Sequence, residues 1–341
     1  MKFKVLLTVD YPGIPYDEKV LTDVGAKFAK IPCKTEDELI ATAKDADAII
    51  TIPLMQAFPR RVIEKLDKCR IISSPGIGYD GIDLEAATER GICVTNVPDY
   101  CLEEVSDHAM ALLLACARKL FRLDKAVREG KWDTLERPKI RYDIWPPMFR
   151  LKGQTLGLLG FGRIPRTIVP KAKGFGLRVI THDPYVPGEV AAELGVELVD
   201  LDRLLRESDY ISVHTALTNE TKHILGLEQF KKMKPTAYLI NTARGPLVDD
   251  AALYTALSKG YIAGAGLDVI EVEPPSLDNP LFKLDNVIIT AHSAHYSDTS
   301  VIELRSRPAE EVARALKGEW PINVVNPKVK ELYLQKWGKK K

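Results

Sequence analysis

Three residue types that could do chemistry together stand late in the chain. Arg244 lies in Asn241-Thr242-Ala243-Arg244-Gly245, and Glu273 lies in Leu267-Asp268-Val269-Ile270-Glu271-Val272-Glu273-Pro274-Pro275. His292 lies in Thr290-Ala291-His292-Ser293-Ala294-His295. A guanidinium presents a planar fork of donors to carboxylate and carbonyl oxygens. An imidazole titrates near neutrality and can give or take a proton. A carboxylate beside it can accept the other ring N–H, fix the tautomer and steady the proton by its charge. Taken singly, an Arg or a Glu is usually a solvated surface charge. These three gain meaning because each follows one of three consecutive predicted strands, and ligands of open α/β sheets bind outside the carboxyl ends of strands. His108, His182, His214 and His223 have no such setting and are read as structural.

A second set of residues suits a dinucleotide. Gly157-Leu158-Leu159-Gly160-Phe161-Gly162-Arg163-Ile164-Pro165 follows an apolar strand and opens a helical pattern. Gly160 permits a tight turn, and Gly162 lets the backbone approach a pyrophosphate. The helix N-terminus then offers unpaired N–H groups and a positive dipole end. Asp183 stands 21 positions after Gly162, at the end of Leu177-Arg178-Val179-Ile180-Thr181. It can accept from a ribose 2′-hydroxyl and would repel a 2′-phosphate, so NAD is favoured over NADP. The third glycine of the pattern is replaced by Pro165, and Pro170 follows, with a kink of the cofactor helix as one consequence.

Strand–helix alternation must position these groups. An early series of strands reads as Lys4–Val9, Ala48–Thr51, Arg70–Ser73 and Cys93–Asn96, with helices over Glu18–Lys30 and Glu36–Lys44. A later series reads as Thr155–Gly160, Arg178–Thr181, Tyr210–His214, Tyr238–Asn241, Gly264–Val269 and Val287–Thr290. Such alternation implies parallel, doubly wound sheets, and two series imply two α/β domains. A long buried helix is predicted from Glu103 to about Arg122, an irregular stretch from Lys131 to Pro147, and a last helix over about Asp298–Lys317.

Composition bounds the partners. A chain of 341 residues suits two domains of ordinary size. Lys plus Arg is 48 and Asp plus Glu is 47, a balance that argues against nucleic acid as the main partner. The tail Lys336-Trp337-Gly338-Lys339-Lys340-Lys341 reads as solvated. The five cysteines form no CxxC and no zinc-spaced Cys/His cluster, so no metal is expected and the thiols read as reduced and cytoplasmic. The N-terminus reads as a strand rather than a signal peptide, and no apolar run is long enough for a membrane span.

Taken in order along the chain, these motifs resemble the D-2-hydroxyacid dehydrogenase family. The likeness covers nearly the whole length and includes Gly76-Ile77-Gly78-Tyr79-Asp80. It is nearest to the branch of C-terminal-binding-protein corepressors and glyoxylate/hydroxypyruvate reductases, through Gly160-Phe161-Gly162-Arg163, Asp183-Pro184-Tyr185 and Tyr296-Ser297. The resemblance implies two Rossmann-like parallel-sheet domains. Residues 103–296 would bind NAD, and 1–102 with 297–341 would form a discontinuous, flavodoxin-like substrate domain. Substrate would sit in the cleft between them, with hinges near Tyr100–Glu103 and His295–Asp298. It implies a small 2-oxo or D-2-hydroxy acid substrate, Arg244 as its anchor, His292 as acid/base and Glu273 as the partner of His292. Backbone N–H groups of Ile77 and Gly78 would hold the substrate carboxylate. Asp268 would bond the nicotinamide carboxamide, while Arg163, Ile164, Thr215, Thr242 and Ala243 line the cofactor. The Lys131–Pro147 stretch resembles an arm that clasps a partner subunit, which implies a homodimer.

Substrate choice is less marked. Family phosphoglycerate dehydrogenases carry an arginine in the loop that here reads Thr51-Ile52-Pro53-Leu54-Met55-Gln56, and no C-terminal regulatory domain is expected. The expected substrate is therefore non-phosphorylated, such as glyoxylate or hydroxypyruvate. Phosphoglycerate dehydrogenase is one alternative and an NAD(H)-sensing corepressor-like protein another. Formate dehydrogenases of similar sequence carry glutamine where Glu273 stands. His295 replaces the corepressors' tryptophan and would line the pocket of a smaller or more polar substrate, and Asp99 and Tyr100 are further candidates for its wall.

Overall fold

Short runs of aliphatic and β-branched residues become strands, bounded by glycine or by polar turns. The computed structural model describes residues 2–9, 16–134 and 139–339. Its strands are β1 (Phe3–Leu7), β2 (Ala26–Lys30), β3 (Ala48–Ile50), β4 (Ile71–Ser73), β5 (Cys93–Thr95) and β6 (Thr155–Leu159). The rest are β7 (Arg178–His182), β8 (Glu197–Leu198), β9 (Tyr210–Val213), β10 (Tyr238–Asn241), β11 (Gly264–Leu267) and β12 (Val287–Ile289). The chain divides into two units, Met1–Tyr100 with Ser297–Lys341, and Cys101–Tyr296.

The first unit holds a parallel sheet in the order β2-β1-β3-β4-β5, the flavodoxin-like doubly wound order. Every residue of β3, β4 and β5 is buried, as strands covered on both faces must be. The helix Asp298–Leu316 covers one face with Ala309, Val312, Ala315 and Leu316, which explains why the end of the chain returns here. Val62, Ile63, Ala86 and Ala87 cover the other face. Asn326 pins the returning segment, accepting from the Val94 N–H and donating to the Ile92 carbonyl.

The second unit holds seven parallel strands in the order β12-β11-β10-β9-β6-β7-β8. This is the Rossmann order, with β6 at the switch point between β9 and β7. Chain connections leave β6 toward β7 on one side and reach β9 on the other, so a crevice opens at their carboxyl ends. The fingerprint loop follows β6, and the loops of Arg244, Glu273 and His292 follow β10, β11 and β12.

Several local expectations fail for identifiable reasons. Glu18–Lys30 is not one helix: it ends at Asp23, Gly25 takes φ +78, and Ala26–Lys30 becomes strand β2 at the sheet edge. The helix expected from Glu103 to Arg122 stops at Ala117, and a second runs from Leu120 to Arg128. Lys119 between them has φ 51, and its Nζ donates to the carbonyls of Ile144, Trp145 and Pro146. That grip holds the turn between the two helices in place. The stretch Lys131–Pro147 contains a short helix, Lys139–Asp143, while residues 135–138 of it lie outside the described residues. Lys340 and Lys341 of the basic tail lie outside them as well. The cofactor helix spans Arg163–Gly174 across Pro170.

Candidate active site

The fingerprint loop is shaped by backbone alone. Gly160 has φ +95, a conformation that favours glycine, and a Cβ there would stand 2.8 Å from the Thr215 nitrogen. The loop after β9 therefore packs directly on the turn after β6. A Cβ at Gly162 would meet nothing within 4 Å, so its missing side chain leaves open space at the helix start. Gly162 caps the helix without a side-chain bond, and Arg163 and Ile164 follow with first-turn N–H groups. Pro165 is buried in that first turn, where its missing N–H costs nothing. Asp183 follows β7, and its Oδ2 accepts from the Phe161 N–H at 2.8 Å, which ties the acid to the loop.

The loop after β10 is shaped by a side chain. Asn241 Oδ1 accepts from the Ala243 N–H at 3.0 Å, and its Nδ2 donates to the Arg244 carbonyl at 2.9 Å. This Asx-type turn fixes the backbone on either side of Arg244. Gly245 then lets the loop press on its neighbour, since a Cβ there would lie 1.7 Å from the Ile270 carbonyl oxygen. That oxygen begins the loop carrying Glu273. Thr242 Oγ1 is buried with no hydrogen-bond partner among the described residues.

Glu273 and His292 meet. Glu273 Oε2 accepts from His292 Nδ1 at 2.6 Å, and Oε1 accepts from the Ile270 N–H at 3.2 Å. With Nδ1 committed, Nε2 is the ring atom left to exchange a proton. His292 has φ 51, in the left-handed region that a residue with a Cβ adopts only under constraint. Asp268 supplies the constraint. Its carbonyl accepts the His292 N–H at 2.8 Å, and its buried carboxylate accepts the N–H groups of Ser293 and Ala294, each at 2.9 Å.

Asp268 also accepts the Thr290 hydroxyl proton at 2.6 Å. That hydroxyl can donate only once, so His108 Nε2, 2.9 Å from Thr290 Oγ1, is the donor in their bond. Sequence reasoning missed this chain of three and set His108 aside. The nearest available signal was a hydroxyl two residues before His292. Both oxygens of Asp268, the residue expected beside the nicotinamide carboxamide, also hold the histidine loop. The His295 ring lies edge-on to His292 with centroids 6.3 Å apart, and burial, then the charge of His292, pushes its pKa down.

In the first unit, Ile77 and Gly78 lie in a turn whose carbonyls are all tied. The Gly76, Ile77 and Gly78 carbonyls accept from the Val97 N–H, Asn96 Nδ2 and Ser74 Oγ. In a trans peptide C=O and N–H point oppositely, so the Ile77 and Gly78 N–H groups face away from those donors.

The second unit therefore pairs an open, uncapped phosphate-type turn with an acid/base couple at the carboxyl edge of one sheet. That combination defines a nucleotide-dependent oxidoreductase, and NAD fits the residues present. Gly162 leaves the space, the helix start leaves the donors, and Thr242 Oγ1 is an orphaned polar atom beside Arg244.

Comparison with known proteins agrees. Residues 110–294 match the family model described as D-isomer specific 2-hydroxyacid dehydrogenase, NAD binding domain. The glyoxylate reductase of Korarchaeum cryptofilum is 46% identical over 85% of this chain and 86% of its own. The D-3-phosphoglycerate dehydrogenase of Methanocaldococcus jannaschii is 42% identical over 90% of this chain, which spans 57% of that longer protein. The D-lactate dehydrogenase structure of Aquifex aeolicus, complexed with NAD and lactic acid, superposes with a TM-score of 0.80. It is 31% identical and covers 93% of this chain and 96% of its own. The chain belongs to the D-isomer specific 2-hydroxyacid dehydrogenase family. It is an NAD-dependent oxidoreductase that interconverts 2-oxo acids and D-2-hydroxy acids.

Proposed function

We propose that the protein is a reductase of small, non-phosphorylated 2-oxo acids, glyoxylate or hydroxypyruvate, with Arg244, Glu273 and His292 as its working side chains. The observation that carries this reading is the 2.6 Å bond from His292 Nδ1 to Glu273 on adjacent sheet-edge loops. NAD, when bound, supplies or takes up the hydride. Gly160, Gly162, Arg163, Ile164, Asp183, Thr215, Thr242 and Ala243 hold it. Arg244 forks onto the carboxylate and carbonyl oxygens of the acid and draws charge toward them. His292 Nε2 gives its proton to the carbonyl oxygen in reduction and takes it back in oxidation. Glu273 keeps the ring in the tautomer and orientation that this transfer needs. The Ile77 and Gly78 N–H groups bind the carboxylate, and His295 borders the substituent of the substrate.

The absence of a cation in Thr51–Gln56 supports a non-phosphorylated acid. NADH oxidation with glyoxylate, hydroxypyruvate and phosphohydroxypyruvate tests the choice. Turnover of either of the first two in preference to the third is expected. Preference for the phosphorylated acid overturns it, and tight NADH binding without turnover of any acid points to an NAD(H)-sensing protein instead.

The protein acts as a homodimer in the cytoplasm. Leu120, Phe121, Trp132, Tyr142, Trp145 and Phe149 are exposed along one stretch of the second unit, an apolar surface suited to a second copy. Five free cysteines suit a reducing compartment.

A further inference from the structure

A second cluster of titratable groups is formed by His223, Asp250 and Glu271. Glu271 is two residues before Glu273, and its Oε1 accepts from His223 Nε2 at 2.6 Å. Its Oε2 faces the Asp250 backbone N–H at 3.5 Å, and its own N–H donates to Asp250 Oδ2 at 3.2 Å. His223 belongs to the loop after β9, Asp250 opens the helix Asp250–Ser258 after β10, and Glu271 lies on the loop after β11.

Between these groups runs the turn Gly245–Leu247 that continues from Arg244. The loop after β9 grips one flank. The His223 N–H donates to the Pro246 carbonyl at 2.8 Å, the Leu225 N–H to the Leu247 carbonyl at 3.2 Å, and the Asp249 N–H to the Leu225 carbonyl at 3.1 Å. The loop after β11 grips the other flank through the Gly245–Ile270 approach. His223 takes φ 54, a conformation that a residue with a Cβ holds only when its surroundings impose it. Glu271 is the side chain that joins the two grips.

We propose that Glu271 is a positioning residue: through His223 and Asp250 it clamps the loops after β9, β10 and β11 together, and so sets where Arg244 and Glu273 stand. This rests on the reading of Arg244 as substrate anchor and Glu273 as partner of His292. The clamp also titrates. Burial, above all, pushes the Asp250 carboxyl up to about 6. The hydrogen bond from the Glu271 N–H opposes this, the charges of Glu271 and Asp249 add to it, and His223 works against it. As pH rises through that value, Asp250 gains a charge beside the Glu271 carboxylate and the like charges loosen the clamp. The kcat/KM profile therefore carries an Asp250 component near pH 6, superposed on the fall that an imidazole acid gives as pH rises.

Glu271→Gln, His223→Asn and Asp250→Asn in the full-length protein test this, with Arg244→Ala alongside. The measurements are kcat and KM for glyoxylate with NADH from about pH 5 to 9, NADH affinity by fluorescence titration, and thermal unfolding. Glu271→Gln is expected to lower kcat/KM about 10- to 100-fold, with a smaller loss of NADH affinity through the loops of Thr215, Thr242 and Ala243, because a misplacement of about 1 Å can cost about 10²-fold. Asp250→Asn is expected to remove the Asp250 component and so change the shape of the profile near pH 6. Wild-type kinetics in Glu271→Gln, or a profile of wild-type shape merely scaled down in all three variants, overturns the clamp. Should Glu271→Gln unfold, the profile shapes of His223→Asn and Asp250→Asn decide by the same criterion. Wild-type turnover in Arg244→Ala defeats the reading of the site itself. An inactive Arg244→Ala beside a wild-type-like Glu271→Gln defeats the clamp alone.

Discussion

The two halves of the second unit's sheet build their ends from different materials. At β6 the loop is made of what is missing: a Cβ at Gly160, a Cβ at Gly162 and a side-chain cap on the following helix. At β10, β11 and β12 the loops are made of polar side chains that hold one another, Asn241 to Arg244, Asp268 to the histidine loop, Glu273 to His292. The difference follows from the task. A pyrophosphate is met by backbone N–H groups, which need close approach. Proton transfer needs one imidazole in one tautomer, which only neighbouring side chains can enforce.

Substitutions separate the halves, beginning with the largest expected effect. Arg244→Ala removes a charge-assisted anchor, and kcat/KM with glyoxylate is expected to fall by several kcal/mol of transition-state binding, on the order of 10³-fold. NADH affinity, measured in parallel, is expected to change little. Equal losses in both would erase the division of labour between the halves.

Two glycines sharpen the contrast. Gly160→Ala forces a Cβ into a left-handed turn against the Thr215 nitrogen, and about 1–3 kcal/mol of NADH affinity should go with it. Gly245→Ala drives a Cβ into the Ile270 carbonyl and should spoil turnover by displacing Arg244, with a smaller change in NADH binding. Titration and steady-state kinetics on both variants would show whether the losses cross over in this way.

The smallest effect is on stability against pH. Burial holds the His214 imidazole down to about 3, against an ordinary 6.5. The unfolded chain takes up that proton first, so its contribution is present above 6.5 and is lost as pH falls. Asp250 runs the other way. Its folded carboxyl, raised to about 6, binds a proton before the unfolded one does, so it adds stability as pH falls from 6 toward 3.8. Denaturant unfolding at a series of pH values is expected to show His214→Gln flattening the acid loss by about 1–2 kcal/mol, trimmed by the partial exposure of the ring. Asp250→Asn is expected to steepen it.

The same contrast governs what could be read from sequence. Gly160, Gly162 and Asp183 form a local pattern of fixed order, and Arg244, Glu273 and His292 stand in short motifs at strand ends. Their supports are not local. His108 reaches Thr290 across 182 positions, and His223 reaches Glu271 across 48, so no nearby pattern announces either pair. The broken helix at Lys119 has a similar origin, because carbonyls of residues 144–146 hold its ammonium where no glycine or proline marks an end. Strand β2 was hidden by the helical run before it, although Gly25 was visible as a break between them.

The pairing of His292 with Glu273 is the centre of this mechanism, and His292→Gln addresses it most directly. Wild-type protein should oxidise NADH with glyoxylate or hydroxypyruvate. His292→Gln should bind NADH as tightly yet turn over about 10²- to 10⁴-fold more slowly, the range that a positioned acid/base contributes. Comparable turnover in the two proteins would contradict it.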